Sequence, residues 1–136
     1  MMIEETKMTL ASETEAVTDD THELISSRRV EGTPVYNIRG ERLGHVHSVM
    51  IGKKSGQVAY ALLSFGGFLG IGEHVHPVPW EILTYDVDLD GYTVDLTREQ
   101  LKNAPTMRLD ESDRPRRPEE DQEISQYYGT MNWWGL

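Results

Sequence analysis

At 136 residues the chain has room for one domain and little more, and a hydrophobic content of 38% without any cysteine excludes disulfides, thiolate catalysis and sulfur-ligated metals. Thirteen lysines and arginines face 23 aspartates and glutamates, a formal net charge of −10. That balance excludes nucleic acid and anionic membranes as main partners, because phosphate recognition needs a basic surface.

Residues 1–23 alternate Glu4, Glu5, Glu13, Glu15, Asp19 and Asp20 with Thr, Ser and Ala. Such a segment has too little apolar surface to offset its ordering entropy, and a disordered acidic tail is expected there. No basic n-region followed by an apolar run is present, and no stretch has the length of a bilayer span. A cytoplasmic protein without direct membrane insertion is therefore expected.

Residues 24–105 read as one β-domain. Gly32-Thr33-Pro34 is a breaker and Val35-Tyr36-Asn37 a short strand, followed by a turn at Arg39-Gly40-Glu41. A longer strand runs from Arg42 to Ile51, and Gly52-Lys53-Lys54-Ser55-Gly56 forms a polar hairpin loop. From Gln57 to Phe65, period-two alternation puts Val58, Tyr60 and Leu62 on one face and Ala59, Ala61 and Leu63 on the other. Both faces are apolar, so both need cover. A glycine-rich turn, Gly66 to Gly72, carries Phe68 and Leu69 outward as core plugs or as an interaction knob. His74 to Val78 is a further strand, and Pro79 to Leu83 a tight turn. Thr84–Val87 and Tyr92–Leu96 pair around the turn dipeptide Asp90-Gly91. Thr97-Arg98-Glu99-Gln100 has the form of a capping box and opens a short helix that stops before Ala104-Pro105.

Beyond the domain, residues 106–117 are charged and proline-rich, and a linker is expected. Pro118-Glu119-Glu120-Asp121 favours a helix start. Ile124, Tyr127 and Tyr128 then form one apolar stripe and Gly129 ends it. Trp133 and Trp134 complete an aromatic tail over residues 118–136. The expected resting place of this tail is the face of Ala59, Ala61 and Leu63, together with Phe68 and Leu69, on its own barrel or on a neighbour's.

Val35-Tyr36-Asn37 with Gly40 to Gly44, Ser55 to Ala61, the run Gly66 to Gly72, and Pro77-Val78-Pro79-Trp80 follow one another in an order and spacing that resembles the PRC-barrel family. That family takes its name from the cytoplasmic domain of the photosynthetic reaction centre H subunit. Tyr127-Tyr128-Gly129 is similar to a segment that follows the barrel in stand-alone bacterial members. The resemblance implies an all-β fold: a small six-stranded barrel, one short helix after the last strand, and a C-terminal extension. It also implies adaptor work, since in the ribosome maturation factors that share the domain it contacts a ribosomal protein. It carries over no catalytic residue and no cofactor.

Two His-x-His pairs, His45 with His47 and His74 with His76, each put two imidazoles on one side of a regular strand, where they can face one metal. No further ligand completes a recognised spacing, and a bulge would separate either pair. Ser64 beside the glycine-rich turn lacks the Gly-x-Ser-x-Gly elbow of a nucleophile. Asp86, Asp88 and Asp90 have calcium-loop spacing, but the twelfth position is Thr97 rather than glutamate. The expectation is a non-enzymatic binding or assembly module without cofactor or metal. It is expected to act as a homodimer and to bind a protein partner that the sequence does not identify. Phe68, Leu69, Ile124, Tyr127, Tyr128, Trp133 and Trp134 are its candidate contacts. The alternative is a metal or small-ligand sensor built on the four histidines.

Overall fold

Alternating apolar residues between glycine turns give seven strands in the computed structural model, which describes residues 23–65, 74–112, 114 and 117–129. The strands are β1 (Pro34–Asn37), β2 (Arg42–Ile51), β3 (Val58–Phe65), β4 (His74–Pro79), β5 (Thr84–Asp86), β6 (Gly91–Val94) and β7 (Met107–Arg108). Among the described residues three helices accompany them: α1 (Ser27–Val30), α2 (Arg98–Lys102) and α3 (Pro118–Tyr128). The strand order is β5-β6-β1-β2-β3-β4-β7. All neighbours are antiparallel except β1 and β6, which run parallel.

The six expected strands are present as β1–β6, and Met107–Arg108 adds a seventh. Over the described residues the ladder runs open from β5 to β7 instead of closing into a six-stranded barrel. The stretch read as a linker thus contributes β7, paired with His74 and Val75 of β4, and a 3-10 turn at Leu109–Glu111. Prolines explain why this pairing is short. Pro77 and Pro79 of β4 have no N–H to offer, so the outer edge of β4 accepts a partner only at its beginning.

Local chemistry fixes the connections. Asn37 Oδ1 accepts from the backbone N–H groups of Arg39 and Glu41, shaping the β1–β2 turn that Gly40 completes at φ 88°. In the β5–β6 turn the left-handed residue is Asp90, at φ 51°, and not Gly91. Gly91 is needed for another reason: a Cβ there would collide with the backbone of Pro34 in β1. Thr97 and Gln100 make the expected capping box at α2. Helix α3 begins at Pro118 and ends at Gly129, which sits at φ 72°.

The two faces of β3 serve two cores. Ala61 and Leu63 join Val35, Leu43, Val46 and Val78 inside the curled sheet. Tyr60 and Leu62 join Val75, Met107 and Ile124 on the other side, beneath α3. Helix α3 therefore covers Tyr60 and Leu62, with Ala59 beside them, while Ala61 and Leu63 of the expected face turn into the first core; it does so on its own chain. Alternation reveals two apolar faces but does not say which one curls inward.

Gly44 marks the tightest approach in the β2–β3 ladder, since a Cβ there would strike the Ser64 carbonyl. Gly44→Val should cost about 3 kcal/mol or more by urea denaturation, because backbone must move. Gly40→Ala, in open space but at positive φ, should cost only about 1–2 kcal/mol. Equal midpoint shifts for the two variants would show that strand approach is not the limiting constraint.

Candidate functional site

The four paired histidines sit on the two strands that flank β3. His45 of β2 lies opposite Ser64, and His76 of β4 lies opposite Leu63. With β3 between them, the two pairs are roughly 10 Å apart, two strand spacings. Within β2 the register jumps from Val46↔Leu63 to Ser48↔Leu62, so His47 is the extra residue of a bulge. The bulge breaks the same-side geometry that a His45–His47 chelate requires, and His47 Nδ1 lies 3.0 Å from its neighbour Ser48 Oγ. His74 is exposed and His76 buried. Among the described residues, no three His, Asp or Glu side chains come together in a way that could hold a metal ion.

His76 is the most unusual polar group. Its ring packs edge-on against Phe65 at 5.8 Å, and its Nδ1 is buried without a hydrogen-bond partner among the described residues. Burial pushes its pKa below the ordinary 6.5, hydrogen bonding to the backbone of Pro105 and Ala104 opposes this, and nearby His74 adds to the depression. The ring lies beside the segment that leads from α2 into β7.

The aspartates of the β5–β6 turn have structural work. Asp86 Oδ1 accepts from the backbone N–H groups of Asp88 and Leu89, and Asp90 Oδ1 accepts from the Tyr85 hydroxyl at 2.6 Å. This is a self-supporting hairpin tip, with Val87 and Leu89 held out in solvent. Ser64 is fully buried in β3.

Of the candidate contacts, Ile124 is buried in the second core and Tyr127 is exposed. Tyr128 packs against both cores. The Tyr127 hydroxyl donates to the Gln100 carbonyl at 2.5 Å, pinning the end of α3 to α2. The Tyr60 hydroxyl donates to Asp121 Oδ1 at 3.3 Å, pinning its beginning to β3. Tyr128 borders a cavity of about 340 Å³ lined also by Ile82, Val94, Leu96 and Gln100. Burial, with Tyr127 beside it, raises the Tyr128 pKa. Phe68, Leu69, Trp133 and Trp134 lie outside the described residues. Sequence reasoning passed over Leu24, Ile25, Ile51, Val87 and Leu89, all exposed. Their one signal is that they are large aliphatics at the borders of turns.

The His76 environment sets a pH dependence. Its folded-state pKa lies below its unfolded value, so the unfolded chain binds the proton more readily. Its neutral-ring contribution is complete above pH 6.5 and is lost as pH falls from there through the lower folded value. The slope is at most one proton, about 1.4 kcal/mol per pH unit. Urea melts between pH 7.5 and 5 should show this decline, and His76→Gln should flatten it. A wild-type profile that stays level over this range would contradict the assignment.

No described helix is long and apolar enough to cross a membrane. No curated protein matches the chain. The model of the PRC-barrel domain family matches residues 22–101, from before α1 to the last turn of α2. The match covers more than half of the 136 residues and all of β1–β6, and the chain belongs to the PRC-barrel family.

Proposed function

We propose that this protein is a non-catalytic binding and assembly module of the cytoplasm that works as a homodimer and serves a protein partner. The observation that carries this reading is how its side chains are used. Groups that do chemistry elsewhere are here committed to the fold: Asp86 and Asp90 to a hairpin tip, Asn37 and Glu41 to a turn, Gln100 to a cap. The surface, by contrast, presents large aliphatic side chains to water. Burying each of them against a partner is worth about 1.5–3 kcal/mol. A module of this size has little core of its own, and self-association adds to it.

Light scattering coupled to size exclusion tests the assembly directly. Between about 1 and 100 μM, a range set by ordinary micromolar affinities, the full chain should elute with twice the mass of its 15.5 kDa protomer. A protomer mass at every concentration would overturn the homodimer.

A further inference from the structure

Five of the seven large hydrophobic side chains found exposed among the described residues belong to one end of the sheet: Leu24, Ile25, Ile51, Val87 and Leu89 stand 41–90% exposed. The pairing registers send the 52–57 hairpin and the 87–90 turn toward the same end. Strand β1 begins at Pro34, opposite His45, and β2 continues from there past the start of β1 to the 52–57 hairpin. Strand β6 runs parallel to β1, with Tyr92 beside Val35, so the 87–90 turn that precedes it projects toward the same end. The segment before β1 enters there as well, since Gly32 N–H donates to the Val46 carbonyl and Val46 N–H to Thr33. Ile25 and Arg29 face Tyr85 and Asp90 across a shallow depression between that segment and the β5–β6 turn.

The two hairpin tips carry opposite charge. One offers Ile51 with Lys53 and Lys54, and the other offers Val87 and Leu89 with Asp86, Asp88 and Asp90. An apolar end that carries both signs on separate projections is complementary to itself. In a two-fold pair the acidic tip of one copy meets the basic tip of the other, and the reciprocal contact forms at the same time. We infer that this end of the sheet is the surface on which a second copy of this chain docks, with the 52–57 hairpin of each protomer against the 87–90 turn of its partner. The inference rests on the homodimer proposed above and names its surface. It differs from an assembly held by the C-terminal tail, because α3 is already committed to its own β3 and β4.

The net charge of −10 opposes association of two copies at low salt, while the tip contacts weaken at high salt. Charge exchange therefore decides where salt titration does not. Two full-length variants are needed: K53E/K54E, and D86N/D88K/D90N, in which the asparagine oxygens keep the turn's acceptors. All five positions lie in turns or at their borders, and unchanged thermal unfolding of each variant confirms the fold. By sedimentation velocity, each variant alone should associate at least tenfold more weakly than the wild type, because like charges now meet at both contacts. The mixture should regain the dimer, because each acidified tip meets a basic one. Variants that dimerise alone as well as the wild type would overturn this surface while leaving the homodimer standing. A wild type that is monomeric throughout would overturn both, and two weakened variants whose mixture stays monomeric would overturn the reciprocal docking.

Discussion

Strand β3 is apolar on both faces, and most of the structure outside the first core answers that constraint. Ala61 and Leu63 are satisfied by the curled sheet itself, through Val35, Leu43, Val46 and Val78. Tyr60 and Leu62 point the other way, and among the described residues no strand of the matched domain passes over them. Left in water with Val75, they would forgo about 1.5–3 kcal/mol for each large side chain. The cover comes from outside the family match at 22–101: Met107 of β7 and Ile124 of α3 complete the second core. An isolated helix of eleven residues is marginal in water, so α3 in turn depends on that packing for its order. Hydroxyls of Tyr60 and Tyr127 tie its two ends, one to β3 by way of Asp121 and the other to the carbonyl of Gln100.

What was legible in the sequence follows from which signals are local. The capping box at Thr97–Gln100, and the proline start and glycine stop of α3, depend on neighbours within a few residues and appear where the pattern puts them; of the expected stripe, Ile124 is buried and Tyr127 exposed. The alternation in β3 was equally plain. Non-local choices were not. Nothing in Met107-Arg108 marks a strand; it becomes one because β4 has a free edge that closes at Pro77. The inward face of β3 depends on the direction in which the sheet curls. The bulge at His47 leaves no trace in a string that still reads His-Val-His, yet it dissolves one of the two metal-like pairs. The turn aspartates look like ligands in sequence because the residue types that coordinate cations also support tight turns.

The same division organises function. Polar groups near the turns are spent on holding hairpins in place, while aliphatic and charged side chains at the tips face outward. A bulge in β2 at His47, and one in β3 at Ala59 opposite the Met50–Ile51 step, let this long hairpin bend as it leaves the core and extends beyond β1. His76 sits on β4, the same strand that gives Val75 to the second core and pairs with β7. Fold support on one side and display on the other suits the assembly role proposed for this chain.

The central claim is that α3 belongs to the same cooperative unit as β3. Native-state amide hydrogen exchange on the full chain measures this residue by residue. The account predicts that the amides of Ile124 to Tyr128 open with a free energy close to that of the β3 amides from Tyr60 to Leu63. Exchange of the helix near solvent rates, with β3 still fully protected, would contradict it.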